Sequence, residues 1–399
     1  MGFFYKKMNY TLFDSETRNQ LLPFTHTRPV ADVRCGIMTM RERWELLLRQ
    51  PTTSLCPNYM QDVFPKGNSE SSTFIDASIF ANKEIVAAIE ALNDNEQLVY
   101  NTWVIAAKTK HSSLINYEHF ADSIKDFKLV AYPQEPQKLN HIWDIFLKNE
   151  SAIKADFLLM TKGKKSQTIP EYVTAISPEN IFIEEGAVLN PCIINAAKGP
   201  IYIAAQAEIM EGCMLRGPIA LGKHAVLKMG AKVYGATTIG AGCKVGGEVS
   251  NVVFFANSNK GHDGFIGNAV IGEWCNLGAD TNCSNLKNNY DIIKVWSEYD
   301  NKLVNTGLQF CGLMMGDHSK SGINTMFNTG TVVGVSSNVF GSNFPDKFVP
   351  SFSWGAAEET STYQFDKAIE TANRMMERRG LSLSEAAQKM YRHLFDNRA

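Results

Sequence analysis

Lys260, His262 and Asp263 stand together in the stretch NSNKGHDGFIG, residues 257–267. Residues of these types, so spaced, can bind a phosphate, accept a proton and orient an imidazole. An ordinary histidine outside a core titrates near neutral pH and serves as a general base. Acyl transfer to an amine uses such a base. It removes a proton as the nitrogen attacks a thioester carbonyl, while nearby donors steady the oxyanion. In that chemistry Lys260 is a candidate phosphate ligand, and Asp263 or Glu248 would orient the ring of His262. The competing reading is an exposed histidine without a role.

The elements that must position this group count in sixes. Ile203, Ile209, Leu215, Leu221, Leu227, Val233, Ile239 and Val245 follow at a constant step, all aliphatic. Four residues after each comes a mostly small side chain: Ala207, Cys213, Ile219, Ala225, Ala231, Thr237, Cys243 and Val249. The phase is lost over 251–264 and returns at Phe265, Ile271 and Leu277. A second block follows Gly312, with Met315, Ser321, Phe327, Val333 and Val339, and with small residues at Ser319, Thr325, Thr331 and Ser337. A period of six suits neither an α-helix nor a single amphipathic strand. It suits a left-handed parallel β-helix, in which each hexad is one side of a triangular coil. Glycine and asparagine take its corners, where φ is positive. The break at 251–264 reads as a loop extruded from the prism, carrying His262.

Three domains follow. Residues 8–165 mix strands and helices and are expected to form an α/β domain. MNYTLF and TWVIAAK read as strands, IMTMRERWELLLR and ANKEIVAAIEALN as helices. TKGKKSQTIPE, residues 161–171, reads as a linker. The β-helix spans 170–354, beginning in an imperfect phase near Tyr172, Ile183 and Leu189. Residues 360–399 read as two helices, with Gly380 as a C-cap and Ser384 as an N-cap. These helices would cover the open end of the β-helix or pack on a second subunit.

Composition removes other classes. Lys and Arg total 39 against 41 for Asp and Glu, a net charge of −2, so neither a nucleic acid nor an acidic membrane surface is implied as a partner. No apolar run approaches the ~18 residues of a membrane span. MGFFYKKMNY reads as too short and badly ordered for a signal peptide, and Met8 as a natural start after a ragged extension. Eight cysteines without a CxxC spacing read as reduced apolar fillers. A cytoplasmic location follows.

GHDGFIGNAVIGEWCNLGADTNCSNLKNNY resembles the acetyltransferase half of the bifunctional N-acetylglucosamine-1-phosphate uridyltransferase/glucosamine-1-phosphate N-acetyltransferase family. The match falls on His262, Gly267-Asn268, Asn276-Leu277-Gly278-Ala279-Asp280-Thr281 and Asn285-Leu286, and continues in GDHSKSGINTMFNTGTVVG. The resemblance implies His262 as the base, Asn276 and Asn285 as ligands of the amino sugar or acetyl group, and Ala279 in the acetyl-coenzyme A groove. It also implies a homotrimer with active sites between adjacent prisms. Phe265 replaces a family tyrosine. A family lysine for sugar phosphate falls near Ser250, leaving Lys260, Lys228 or Lys232 as substitutes.

LLPFTHTRPVADVRCG, residues 21–36, resembles part of the sugar nucleotidyltransferase signature. Pro23, Thr25, Arg28 and Pro29 match, Val30 stands at the lysine position, and DSETRNQ stands where the glycine-rich loop belongs. HIWDIFLKNE adds to the likeness. The resemblance implies Pro23, Thr25 and Arg28 as nucleotide ligands and Mg2+ if the domain is active. Asp14, Asp32 and Asp76 are candidate metal ligands. Three functions remain open: acetyl transfer from acetyl-coenzyme A to an amino sugar 1-phosphate, with or without nucleotidyl transfer; sugar-1-phosphate nucleotidyl transfer alone, with the β-helix as an oligomerisation scaffold; and a non-catalytic trimeric module that binds nucleotide sugars.

Overall fold

The structure is a computed structural model and describes residues 9–67, 70–356 and 358–398. The expected start at Met8 lies outside them. Packing divides the chain into two compact units. Of the described residues, one holds those from Asn9 to Leu21, Thr27–Val33 and Met38–Asn140. The other holds Leu22–His26, Arg34–Ile37 and the described residues from His141 onward. The packing boundary therefore lies ahead of the 161–171 linker.

The first unit is built on six strands: β1 Tyr10–Phe13, β2 Thr53–Leu55, β3 Ser72–Asp76, β4 Glu96–Tyr100, β5 Trp103–Thr109 and β6 Lys128–Ala131. Their order is β2-β1-β3-β5-β4-β6. The neighbours β2, β1 and β3 are parallel, and β5 runs antiparallel to both β3 and β4. Helix α1, Met40–Leu48, starts at Thr39 in a capping box with Glu42. Helix α2 is Lys83–Glu90, capped by Asn82. Phe13, Leu55, Phe74 and Ala107 join Ile115 and Ile124 in one apolar core. In place of a glycine-rich loop after β1, Glu16–Leu21 forms a 3-10 helix.

The second unit is the left-handed parallel β-helix that the hexads imply. All eight aliphatic residues from Ile203 to Val245 are buried inside it, as are the eight smaller ones four positions on. Burying each aliphatic side chain contributes about 1.5–3 kcal/mol, and the regular step stacks them in continuous columns. Cys213, Cys243 and Cys275 fill the same interior, and all eight cysteines are buried and unbridged. Helix α3, Asn149–Thr161, packs in this unit. Asn149 is wholly buried and joins three segments: it donates to Ala236 O at 2.6 Å and accepts from Gly36 N at 2.7 Å and from Thr238 Oγ1 at 3.1 Å.

Two expectations about phase change. In regular coils Leu227 pairs with Val245, 18 residues on. Val245 then pairs with Lys260, only 15 residues on. The break in the count is thus a shortened coil, not an extruded loop. Lys260 takes an inward position, and on the next face Ile266, not Phe265, is the inward residue, in the column of Val233 and Val249. The extruded segment lies later. Leu277 pairs with Ser321, and the chain between them makes room for an antiparallel hairpin, Lys294–Ser297 with Lys302–Asn305. Trp296 of the hairpin stacks on Phe348 at 5.3 Å.

Helices α4, Phe365–Glu377, and α5, Glu385–Asp396, end the chain. Ser384 caps α5 by accepting from Ala387 N at 3.1 Å, as expected. Gly380 has φ 69° just beyond α4. Phe395 of α5 meets Phe352 of the β-helix edge to face at 5.1 Å.

Candidate active site

His262 sits at a corner of the β-helix, where the chain turns out of the face built by Leu227, Val245, Lys260 and Leu277. The corners of successive coils form a cleft of about 690 Å³, lined by Lys228 and Met229, Gly246 and Gly247, Gly261 to Asp263, and Ala279 and Asp280. The stacking is tight because glycines stand under the histidine turn. A Cβ on Gly247 would lie 2.9 Å from both His262 O and Asp263 Cα. Gly264 has φ +112°, which side-chain-bearing residues rarely adopt. Above, Asp280 N donates to Asp263 O at 3.1 Å. His262 and Asp263 are themselves exposed.

Lys260 lies under this turn. It is 1 % exposed. Its ammonium donates to Gly246 O at 3.1 Å, His262 O at 2.7 Å and Asp263 O at 3.2 Å. An ammonium has three donors, so all are used inside the protein. Burial lowers its pKa to about 8, with Asp263 and Asp280 opposing that shift. Lys260 is therefore not placed to bind a phosphate in the cleft; Lys228 lines it instead.

Of the sequence-derived residues, the cleft brings together Lys228, His262, Asp263 and Ala279. Glu248 accepts from the Tyr234 hydroxyl at 2.6 Å rather than orienting His262. Asn285 Nδ2 donates to Asn268 Oδ1 at 2.8 Å. Asn276 accepts from Asn259 Nδ2 at 2.8 Å and lines a different cleft.

That second cleft, of about 600 Å³, was not foreseen. It lies between the outer surface of the same face and helix α4, and Lys244, Lys320, Arg374, Arg378 and Arg379 line it beside Asn259 and Asn276, with no carboxylate among its lining residues. The register explains the row: Lys244, Asn259, Asn276 and Lys320 are partners on successive coils. Burial lowers the pKa of Lys320 to about 8, and its ammonium donates to His318 O at 2.7 Å. Arg379 donates to Gly242 O at 2.5 Å and lies over the Trp274 ring. The basic run RMMERR was the available sequence signal, but only the fold brings it to the lysines.

In the first unit a cleft of about 580 Å³ opens at the carboxyl ends of β1 and β3, where open α/β sheets bind ligands. Asp14, Asp76, Tyr117 and Lys138 are among its lining residues. The three candidate metal ligands are each held by a different cation. Asp14 lies 3.3 Å from Arg18 and accepts from Val30 N at 2.8 Å. Burial raises its pKa to about 7, against the pull of Arg18. Asp32 takes two bonds from Arg41, at 2.6 and 3.1 Å. Asp76 accepts from Ser78 N and Oγ and lies 3.9 Å from Lys138. Among the described residues no group of three His, Cys, Asp or Glu is gathered for a metal. Asp14 and Asp76 both line the cleft, each already facing a cation of the chain. Pro23, Thr25 and Arg28 are buried and are absent from the cleft lining. Phe24, between the first two, packs on Phe255 of the β-helix at 5.4 Å. Pro23 and Thr25 thus form part of a packed loop, not a phosphate cradle. No described helix is long and apolar enough to cross a membrane.

Residues 10–165 match the sequence model of the family described as Sugar nucleotidyl transferase. Bifunctional protein GlmU of Wolbachia pipientis wMel is 25 % identical over 223 residues, 50 % of this chain and 50 % of that protein. Bifunctional protein GlmU of Methanocaldococcus jannaschii is 33 % identical over 87 residues, 22 % of this chain and 21 % of that one. The uncharacterized acetyltransferase YaiX of Escherichia coli O6:K15:H31 is 23 % identical over 174 residues, 43 % of this chain and 75 % of that one. The chain thus spans about half the length of the Wolbachia relative. By these matches the chain is similar to GlmU proteins over about half its length, and a segment that matches the sugar nucleotidyl transferase family precedes its hexapeptide-repeat β-helix.

Proposed function

We propose that this protein transfers an acyl group from an acyl-coenzyme A, acetyl-coenzyme A first among them, to the amine of an amino sugar 1-phosphate. The observation that carries the reading is the corner cleft, which unites exposed His262 with Ala279 and Lys228. His262 takes the proton of the attacking amine. The nitrogen bonds to the thioester carbonyl carbon, the C–S bond breaks, and the departing sulfur is protonated to the free thiol. Lys228 supplies a positive charge for the sugar phosphate, and Asp263 is the nearest candidate to orient the ring.

The basic cleft suits the phosphates of coenzyme A. Both clefts lie on the same coils: Asn259 lines one and Gly261 the other, as do Asn276 and Ala279. Two or three residues separate these pairs, about 7–10 Å along an extended chain. A ligand with a polyanionic head and a flexible arm matches that arrangement. A homotrimer, with a neighbouring prism walling the corner cleft, and a cytoplasmic location complete the reading. Analytical ultracentrifugation tests the trimer.

The deciding assay is thiol release from acetyl-coenzyme A with glucosamine 1-phosphate and other amino sugar phosphates. Release that His262→Ala abolishes supports the reading; none from the wild type with any of them ends it. Nucleotidyl transfer by the first unit is a second reading, favoured by the family match over residues 10–165. The cation-paired aspartates count against Mg2+ chemistry there. Pyrophosphate release from a nucleoside triphosphate and a sugar 1-phosphate decides between transfer and a unit that only binds its ligand.

A further inference from the structure

We infer that Lys260 is a positioning residue, an internal clamp that holds the turn carrying His262 from inside the coil. Its consequence for catalysis rests on the acyl-transfer reading; the clamp itself concerns only the backbone.

The position calls for an aliphatic residue. On neighbouring coils its column holds Leu227, Val245 and Leu277, all buried. A buried ammonium is costly unless its donors are satisfied. Here every donor goes to the two turns that build the cleft: Gly246 O on one coil, His262 O and Asp263 O on the next. The lysine thus ties adjacent corners together where the coil is three residues short of its normal 18. With the His262 ring exposed, where it reaches is set by the backbone that the ammonium holds.

Burial lowers the pKa of Lys260 to about 8, so the three-donor ammonium is the form present below that pH. The charged groups around it are Asp263 on its own turn and Asp280 on the next coil, both opposing the shift, with Lys228 across the cleft. A neutral amine keeps two N–H donors for three carbonyls, so the turn loosens as pH rises past 8.

The test is Lys260→Met, which suits an aliphatic column, studied in the full chain by hydrogen–deuterium exchange and by thiol release. The clamp predicts exchange ~10-fold faster at the amides of Gly246, Glu248 and Asp280, which donate to Lys260 O, Gly264 O and Asp263 O of this turn, with the other coils unchanged. It also predicts kcat lowered ~10-fold or more with KM for amine and thioester within about twofold, since misplacing a reacting group by an ångström is that costly. Unchanged exchange at these three amides overturns the clamp; faster exchange with unchanged kcat overturns the positioning role. If wild type releases no thiol, the acyl-transfer reading fails, and the exchange result alone decides the clamp. If Lys260→Met does not fold, wild type is compared at pH 7 and pH 9.5 after correction for intrinsic exchange. Extra exchange confined to the amides of Gly246, Glu248 and Asp280 at the higher pH supports the clamp, and its absence overturns it.

Discussion

The ammonium of Lys260 lies 2.7 Å from the carbonyl oxygen of His262, so a charge inside the β-helix holds the backbone of a residue whose side chain faces outward. This places the proposed base on a corner where glycines let successive coils stack closely. It also separates the two neighbours: the lysine supports the turn, and the histidine is left for chemistry.

Removing the base should act on turnover. His262→Ala is expected to lower kcat for thiol release by ~10²-fold or more, the ordinary contribution of a general base. KM for acyl-coenzyme A should stay near the wild-type value, because the imidazole is not part of the basic cleft. Steady-state kinetics with a thiol reagent measures both.

The basic cleft should act on binding. Lys244→Gln combined with Arg378→Gln is expected to raise KM for acetyl-coenzyme A ~10-fold or more, since a charge-assisted hydrogen bond contributes about 1.5–3 kcal/mol. The effect should shrink as salt is raised, because exposed charges are screened. Removing the 3′-phosphate from the coenzyme should weaken wild type more than the double variant. An equal loss in both proteins would place that phosphate elsewhere.

Asp14 should make stability fall with rising pH. Its pKa is raised from 3.8 to about 7 by burial. Between those values the folded state holds more protons than the unfolded state, so stability declines as pH rises through that window. Thermal unfolding at pH 5 and pH 8 should show a smaller drop in Asp14→Asn than in wild type. A steeper drop in the variant would contradict the buried, proton-holding carboxyl.

The thiols should be silent in the native state. All eight cysteines are buried, and burial raises the pKa of Cys243 to about 12. A thiol reagent at neutral pH is expected to label fewer than one per chain, and all eight in denaturant. Rapid native labelling would place a cysteine at the surface.

Much of the architecture was legible because a coiled solenoid repeats one local rule. Ile203 to Val245 face inward at every sixth position, and the same step carries through Met315 to Val339. Capping was equally local: Ser384 bonds only three residues ahead. The coil with Lys260 was misread for a physical reason. A broken period is the same signal whether residues are added or removed, and only register with Val245 shows that three are missing.

The site was legible in part. His262 and Ala279 fall in one cleft because both occupy corners after the same face. Asn276 precedes such a corner and faces the other cleft, while Asn285 follows the next face and bonds Asn268. By itself the sequence determined a six-residue repeat, its inward columns, its reduced cysteines and a histidine at the break in the count. Only the tertiary structure decided that Lys260 points inward, that five cations surround one cleft, and that Asp14, Asp32 and Asp76 each meet a different cation. A local period specifies which side of a strand is buried, whereas these pairings join residues far apart in the chain and depend on how coils and helices stack.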